Sequence, residues 1–167
     1  MLLRITIYGT SKILNKNTNM IDIWDFVKKK FEGITDKNGR PYFNHLERVG
    51  HYAYDTDNKS KHDRDFLFDI ALLHDILEDT DTTEEELKTV SGISEEMIEI
   101  VKILTRKKNE PYMEYIERVS QNELATIVKL ADLRDNMDIR RYDVFDESNF
   151  SLLKRYHKAY KFLTKND

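Results

Sequence analysis

Hydrophobic residues return every three or four positions along most of this chain, and that spacing predicts helices. The first predicted helix runs from Met20 to Phe31, the second from Phe43 to about Tyr54 and the third from Arg64 to Leu77. The same periodicity predicts further helices over residues 82–90, 94–105, 111–120, 122–137 and 148–163. No pair of alternating segments around a tight turn indicates a β-hairpin, so the predicted fold class is all-α.

Residues that favour helix starts support these assignments. The candidate N-caps are Asn19, Thr82 or Thr83, Ser94, Asn122 and Ser148, and Pro111 suits the first position of its helix. Two glycines and a proline predict a loop over residues 33–42, and a polar run predicts another over 55–63. We expect residues 20–167 to form one domain, because a chain of this length supports one core. Residues 1–19 are expected to be an N-terminal extension, either a short strand or disordered.

Charge and composition narrow the classes of protein to which the chain can belong. The 27 Lys and Arg and the 31 Asp and Glu give a net charge of −4 without a long block of one sign. We therefore expect neither nucleic acid nor a membrane surface as a partner. The lack of cysteine excludes disulfides and thiolate metal sites. No run approaches about 18 apolar residues, so we expect a soluble, cytoplasmic protein without a spanning helix.

The stretch "ALLHDILEDTDTTEEE", residues 71–86, places ionisable side chains inside what reads as a buried helix. His74 pairs with Glu78, and Asp75 with Asp79, at the four-residue repeat, so all four fall within roughly 140° of one helix face. Carboxylates buried without compensation would protonate instead of remaining charged. Something positive must therefore lie among them, either a divalent cation or a cluster of Arg and Lys.

Two simpler interpretations apply to the same stretch. Glu78 and Asp79 lie where the predicted helix stops, and acidic residues at a helix end are usually solvated. His74 lies deep in an apolar run, where a core histidine is more often satisfied by a backbone carbonyl than by a metal. Residues elsewhere in the chain favour the metal.

Two other predicted helices carry polar residues in apolar surroundings. His45 lies between Phe43 and Leu46 on the second predicted helix, and Asp132 lies inside the apolar run "VKLADLRDNM". Together with His74 and Asp75 they form a set of nitrogen and oxygen donors. Such a set suits Mn²⁺, Fe²⁺ or Zn²⁺, and less well Mg²⁺.

Three stretches in this order, "DKNGRPYFNHLERV", "ALLHDILEDTDTTEEEL" and "VKLADLRDNM", resemble the HD-domain metal-dependent phosphohydrolases. The resemblance covers the chain from about Met20 onward. It is closest to the hydrolase domain of RelA/SpoT-type alarmone enzymes and their small single-domain relatives. It implies an HD-domain helical bundle that hydrolyses a small nucleotide, most specifically a (p)ppGpp 3′-pyrophosphohydrolase.

The resemblance also implies roles for particular residues. The implied metal ligands, with Mn²⁺ as the expected ion, are His45, His74, Asp75 and Asp132. Glu78 and Asp79 match the acidic pair that this family places next to the metal, and they are the expected catalytic residues. They would orient the attacking water or protonate the leaving oxygen, and two carboxylates so close together can share a proton.

The remaining implied contacts are with the substrate. Lys37 stands where the family has a lysine, in the loop before His45, and Asn136 matches an asparagine one turn after the last ligand. Both are expected to bind substrate. Weaker candidates for phosphate contacts are Arg106, Lys129, Arg134 and Arg140, most of which we expect to be solvated surface charges.

Two departures from the alarmone hydrolases bear on the substrate. Those enzymes typically have an arginine that contacts guanine before the lysine, whereas this chain has Asp36. After Asn136 they continue with Arg and Thr, whereas this chain has Asp138 and Ile139. If the loop faces the base, an arginine at position 36 should raise activity on guanosine-based substrates.

Two other functions remain compatible with the sequence. One is a nucleotidase or phosphatase that acts on another nucleotide or phosphorylated metabolite with the same metal core. The other is a non-catalytic binding module on a degenerate HD scaffold. The presence of every implied ligand and of both acidic residues argues against the second.

Overall fold

A computed structural model describes residues 4–7, 10–13, 22–56 and 59–165 of the chain. Its α-helices, numbered in chain order, are α1 (Ile23–Lys30), α2 (Phe43–Tyr54), α3 (Lys61–Leu73), α4 (Ile76–Asp79), α5 (Glu84–Leu87), α6 (Glu95–Leu104), α7 (Tyr112–Val119), α8 (Glu123–Asn136) and α9 (Glu147–Leu163). A short 3₁₀ helix, Ile139–Arg141, follows α8. The all-α prediction is confirmed, because all secondary-structure elements described from residue 22 onward are helices.

Two short strands precede the helical domain. β1 (Arg4–Ile7) pairs antiparallel with β2 (Thr10–Ile13), so that Arg4 lies opposite Ile13 and Ile7 opposite Thr10. The sequence pattern allowed one short strand in this segment and did not indicate the pairing. The expected helical residues Met20 and Ile21 lie outside the described residues.

The core forms where α2 packs along α3 and against α8. Apolar side chains from these helices, among them Leu46, Leu72 and Leu133, are fully buried. Gly50 makes the close approach of α2 and α3 possible, because a Cβ at this position would lie 2.9 Å from Cε2 of Phe68. The polar residues singled out in the sequence lie on α2, on α8 and directly after the end of α3.

The third predicted helix differs from the structure at both ends. α3 begins at Lys61, where Ser60 and Asp63 form a reciprocal capping box that the sequence analysis missed. It ends at Leu73, and His74 and Asp75 form a turn before the separate helix α4. The prediction of one continuous helix to Leu77 is therefore wrong. One cause is the His74 side chain, whose Nδ1 donates a hydrogen bond of 2.6 Å to the Ala71 carbonyl, a local contact that competes with the helical hydrogen bonds.

The predicted caps are confirmed at three helices and corrected at two. The confirmed caps, each accepting a hydrogen bond from a backbone N–H of the first turn, are Thr83, Ser94 and Asn122. Asp22 caps α1, and the expected cap Asn19 lies outside the described residues. Asp146, and not Ser148, caps α9, since its carboxylate accepts from the backbone N–H groups of Ser148 and Asn149. Pro111 lies one position before the first residue of α7.

The C-terminal helix α9 lies on the outside of the bundle and packs against α8 and α7. It buries only Ala159 and Leu163 completely. Phe150 is exposed, the other apolar side chains are partly covered, and Arg155 and Tyr156 face a pocket described below. Of the helices in the described ranges, none has both the length and the apolar character needed to cross a bilayer.

Candidate active site

Three of the four predicted metal ligands come together at the junction of α2, α3 and α8. His45, His74 and Asp132 each offer a ligand atom within 4.8 Å of the others, and all three are buried. Nε2 of His45 lies 3.3 Å, and Nε2 of His74 3.7 Å, from Oδ1 of Asp132. Residues far apart in sequence thus form one cluster with the spacing of a coordination sphere.

Asp75 reaches the same cluster from the turn after α3. Its Oδ2 atom lies 3.0 Å from Nε2 of His74 and 3.7 Å from Nε2 of His45. The Tyr42 hydroxyl donates a hydrogen bond of 2.7 Å to this oxygen and so holds the carboxylate in place. Asp75 therefore lies next to both imidazoles of the cluster, although it is not one of the three residues whose ligand atoms all lie within 4.8 Å of one another.

The second nitrogen of each imidazole is bonded outside the cluster. Nδ1 of His74 donates to the Ala71 carbonyl, and Nδ1 of His45 lies 2.6 Å from Oδ2 of Asp135. Both contacts turn the Nε2 atoms towards Asp132. Nε2 of His74 is buried and makes no hydrogen bond to any described residue, although Oδ2 of Asp75 is 3.0 Å away.

The electrostatics of the cluster favour positive charge at its centre. Burial alone lowers the pKa of His74, but the neighbouring Asp75 and Asp132 outweigh burial and raise that pKa to about 10. Burial would raise the pKa of Asp132, yet Lys129 and the two histidines hold it well below its usual range. The carboxylates thus draw a cation, either a proton on imidazole or a metal ion, to the same point.

These donors fit a divalent cation better than they fit an Arg and Lys cluster. Lys129 does contact the site, with Nζ 2.7 Å from Oδ2 of Asp132. No contact joins Lys129 to either imidazole among the described residues, whereas a metal ion at the centre of the cluster would accept a lone pair from each. The unpartnered Nε2 of His74 supports the same conclusion. The cluster could therefore hold one divalent metal ion.

A pocket of about 330 Å³ lies next to this cluster, within the range of sites that hold small ligands. His45, Asp75 and Asp132 form part of its lining. Tyrosines line it from several elements, namely Tyr42, Tyr112, Tyr115, Tyr142 and Tyr156. Basic side chains also line it, namely Lys37, Arg106, Lys129, Arg141 and Arg155. Aromatic faces and cations together suit a ligand with both a ring and phosphate groups.

The predicted acidic pair lies at the edge of this pocket. Glu78 and Asp79 both line it, and both are exposed, so the expectation of a solvated helix end is also met. Oε2 of Glu78 accepts a hydrogen bond of 3.1 Å from the backbone N–H of Arg106. Although the residue as a whole is exposed, partial desolvation of its carboxyl group and the charge of the nearby Asp75 raise the pKa of Asp79. A proton on Asp79 is therefore easier to hold than on an ordinary aspartate.

The two predicted substrate contacts also face the pocket. Lys37 is exposed on the loop before α2, and no described carboxylate pairs with it. Nδ2 of Asn136 donates a hydrogen bond of 2.5 Å to Oδ1 of Asp132. One amide hydrogen and the amide oxygen of Asn136 remain free to contact a ligand.

The weaker phosphate candidates divide into two pairs. Arg106 and Lys129 line the pocket. Arg134 and Arg140 do not, and they are solvated surface charges, as expected for most of this set. Arg134 is exposed, with its guanidinium 4.1 Å from the ring centre of Tyr52, and Arg140 pairs with Asp138 on the surface.

The structure adds several residues that the sequence analysis did not select. Asp135 contacts His45, and it lies three residues after Asp132, so helical spacing could have placed both on one face of α8. Arg155 and Tyr156 reach the pocket from α9, and no spacing in the sequence relates them to the metal ligands. Tyr112 has two cations near its ring, since the Arg106 and Arg155 guanidiniums lie 5.8 and 5.0 Å from its ring centre.

Asp36 faces the pocket but is already occupied by its own loop. Its Oδ1 atom accepts hydrogen bonds of 2.9 and 3.0 Å from the backbone N–H groups of Asn38 and Arg40. Its Oδ2 atom lies 3.5 Å from Nη2 of Arg141. The carboxylate thus stabilises the turn that presents Lys37.

The fold and the convergent His and Asp side chains are those of one protein family. The HD domain family matches residues 42–137, more than half of the 167-residue chain. The match begins just before α2 and ends just after α8, so it includes all four predicted ligands. The chain belongs to the HD domain family.

Two curated relatives carry the same enzyme name. The guanosine-3′,5′-bis(diphosphate) 3′-pyrophosphohydrolase MESH1 of Danio rerio is 36% identical over 116 residues, which are 64% of this chain and 59% of that protein. The guanosine-3′,5′-bis(diphosphate) 3′-pyrophosphohydrolase of Aquifex aeolicus (strain VF5) is 32% identical over 120 residues, which are 68% of this chain and 16% of that protein. The chain therefore spans less than two thirds of either relative.

A solved structure supports the fold. It is that of a metazoan ortholog of SpoT, a protein described as one that hydrolyzes ppGpp and plays a role in starvation responses. It superposes with a TM-score of 0.65 at 23% identity and covers 84% of this chain and 82% of its own. At this identity the likeness establishes the arrangement of helices and leaves the substrate to the site itself.

Proposed function

We propose that this protein is a metal-dependent phosphohydrolase of a small nucleotide, with (p)ppGpp 3′-pyrophosphohydrolase activity as its most specific form. The observation that carries the proposal is the position of the His and Asp cluster in the lining of a pocket with tyrosines and unpaired cations. Hydrolysis of a phosphate ester needs a cation near phosphorus and positive groups around the other phosphates. This pocket offers residues for both.

We assign His45, His74, Asp75 and Asp132 as the metal ligands, with Mn²⁺ as the ion. Fe²⁺, Zn²⁺ and Mg²⁺ are the alternatives, and Mg²⁺ suits two imidazoles least. When bound, the cation lowers the pKa of a water molecule towards neutrality and offsets charge on phosphoryl oxygens. Lys129 and Asn136 contact the two oxygens of Asp132 and fix its orientation.

Glu78 and Asp79 are the proposed catalytic residues. They lie at the pocket edge next to Asp75, within reach of a ligand bound at the cluster. One would orient the attacking water and the other would give a proton to the leaving oxygen. Comparing Glu78→Gln with Asp79→Asn assigns the roles, because loss of the proton donor removes the alkaline limb of the profile of kcat against pH.

The polar groups of the pocket wall would bind the substrate. Lys37 and Arg155 are exposed cations without a described carboxylate partner, so each is free to pair with phosphate. The free amide groups of Asn136 are placed to hydrogen-bond the ligand. A nucleobase would stack on a tyrosine of the wall, since aromatic faces accept any base.

The names of the two relatives support the alarmone as the substrate. Asp36 argues against assigning the substrate of these relatives directly to this chain. The arginine that would contact guanine is replaced by a carboxylate that hydrogen-bonds to its own loop. A second candidate function follows from that difference, namely a nucleotidase or phosphatase that acts on another nucleotide. The same metal cluster would serve both, and we propose a cytoplasmic location for either.

The experiment that tests the proposal is a substrate panel with the purified full chain. The protein is stripped with a chelator, reloaded with Mn²⁺ and assayed on ppGpp, GTP, GMP and other ribo- and deoxynucleotides. Release of pyrophosphate from ppGpp supports the alarmone activity, and release of phosphate from another nucleotide supports the second candidate. No turnover of any phosphate ester by the Mn²⁺-loaded protein would reject both and favour a binding module.

A further inference from the structure

Asp135 is a fully buried carboxylate that lies beside the cluster and does not line the pocket. It therefore has no direct access to a ligand there. Its Oδ2 atom lies 2.6 Å from Nδ1 of His45, on the opposite side of the imidazole ring from the nitrogen that faces Asp132. Any effect of Asp135 on chemistry must pass through a residue that it contacts, and His45 is the one of these that belongs to the cluster.

Two arginines keep this buried carboxylate ionised. Nε and Nη2 of Arg48 donate hydrogen bonds of 2.7 and 3.1 Å to its two oxygens. Nη1 of Arg141 donates to Oδ2 and also to the backbone carbonyl of Asp135, at 2.8 Å. A carboxylate with this many donors is satisfied without a metal, so its role differs from that of Asp132.

We infer that Asp135 is a positioning residue, which holds a proton on Nδ1 of His45 and thereby leaves the Nε2 lone pair facing the metal cluster. This inference rests on the proposed role of His45 as a ligand. A neutral imidazole has one protonated nitrogen, and the hydrogen bond made by that nitrogen decides which one is left to coordinate. The Nδ1 atom of His74 is also hydrogen-bonded, but its acceptor is the neutral Ala71 carbonyl, whereas the acceptor for His45 is a carboxylate. The carboxylate makes the ring a stronger donor to a cation.

Arg141 extends the same network to the substrate side of the pocket. Its Nη2 atom lies 3.5 Å from Oδ2 of Asp36, and its backbone carbonyl accepts a hydrogen bond of 2.9 Å from the Asn38 side chain. The carboxylate that orients His45 is thus connected through one arginine to the loop that presents Lys37. Removal of the Asp135 carboxylate should therefore weaken metal binding more than it changes the position of this loop.

The first test is the affinity of the metal-stripped full chain for Mn²⁺, measured by calorimetry. Asp135→Asn keeps the shape of the side chain and removes its charge, and we expect it to weaken Mn²⁺ binding by about 10- to 100-fold. Asp138→Asn is the matched control, because Asp138 also pairs with an arginine but touches neither histidine. We expect this control to remain within about twofold of the wild type.

The second test reads the imidazole directly in the wild-type protein. In the Zn²⁺-loaded wild-type protein, long-range ¹H–¹⁵N spectra should show His45 with a protonated, hydrogen-bonded Nδ1 and a coordinated Nε2. A His45→Gln variant assigns the signal. A His45 ring that carries its proton on Nε2, or that coordinates through Nδ1, would overturn the inference.

The outcomes separate this inference from the proposed function. If the wild type binds Mn²⁺ and Asp135→Asn binds it as tightly as Asp138→Asn does, only the positioning role is rejected. If the wild type binds no Mn²⁺ at all, the metal site itself is rejected, and the inference is rejected with it. Weaker binding by Asp135→Asn alone, with Nδ1 protonated in the wild type, supports both.

Discussion

The pocket has two sides that are built in different ways. The floor is the cluster of His45, His74, Asp75 and Asp132, whose side chains are mostly buried and each held by a contact from outside the cluster. The wall is the set of Lys37, Arg106, Tyr112, Arg155 and Tyr156, in which the cations are exposed and the two rings half-buried. The floor is thus rigid and suited to holding an ion, whereas the wall can adapt to a ligand.

This difference assigns chemistry to the floor and selection of the substrate to the wall. Groups that must act together on one bond need fixed positions, and buried, fully hydrogen-bonded side chains provide them. Exposed cations stacked on aromatic rings gain less from rigidity, but they can follow the phosphates of different nucleotides. Substitutions in the two regions should therefore change different kinetic constants.

The largest effect is expected in the floor. Asp75→Ala or Asp132→Ala should abolish turnover, a loss of at least about a thousandfold, because a water without a bound cation has a pKa far from neutrality. The overall fold should persist, as judged by circular dichroism. Asp65→Ala is the control, since Asp65 lies on α3 and pairs with Lys61 away from the pocket. Full activity in either floor variant would reject the assignment of the ligands.

A smaller effect is expected in the wall. Arg155→Ala should raise KM by about tenfold and change kcat by less than about twofold, because it removes binding that the ground state and the transition state share. Arg134→Ala is a matched control, since Arg134 is an exposed arginine that also stacks on a tyrosine but lies outside the pocket. Steady-state kinetics of both variants check the prediction. Equal KM values for the two variants would show that Arg155 does not bind the substrate.

The loop between the two regions gives the third prediction. The sequence alone suggests that Asp36→Arg improves activity on guanosine-based substrates, whereas the structure suggests the reverse. An arginine cannot accept the backbone hydrogen bonds of Asn38 and Arg40, so this variant should lose activity by a few-fold on every substrate. Asp36→Asn keeps an acceptor oxygen and should remain near the wild type. A selective increase in activity of Asp36→Arg on ppGpp would instead support the expectation from the sequence, that an arginine at this position contacts guanine.

The smallest effect on catalysis is expected at Asp69 on α3, a half-buried residue whose Oδ1 atom is buried. Burial raises the pKa of Asp69 to about 7, and its Oδ1 atom has no described hydrogen-bond partner. The folded state therefore holds a proton that the unfolded chain releases near pH 4, so this group reduces stability as the pH rises from about 4 to 7. Asp69→Asn does not titrate and should gain on the order of 2 kcal/mol of unfolding free energy at pH 8.

Urea unfolding at several pH values checks this last prediction. The advantage of Asp69→Asn should shrink as the pH falls and vanish below about pH 4, where wild-type Asp69 is protonated in both states. kcat and KM should not change, because Asp69 does not line the pocket. An advantage that is the same at pH 4 and pH 8 would mean that the carboxylate is not held in its protonated form.

Much of the secondary structure could be predicted because it depends on near neighbours in the chain. The spacing of apolar residues located α2 and α8 closely, and the side chains of Thr83, Ser94 and Asn122 marked helix starts. The turn at His74 was missed, because it depends on a histidine side chain that bonds to its own helix. A helical pattern continues through such a turn, so periodicity alone cannot reveal it.

The sequence by itself determined the helical class and the set of residues that could hold a metal, because residue type and helical spacing are local properties. Only the tertiary structure decided that Asp135 orients His45, that Asp36 serves its loop and that α7 and α9 supply the wall. The contacts of Asp135 with His45 and of α7 and α9 with the pocket join segments whose separation along the chain carries no signal, whereas Asp36 bonds to its own loop. The helices α2, α3 and α8 pack closely, with Gly50 against Phe68. This packing brings polar residues that are distant in the sequence into one site.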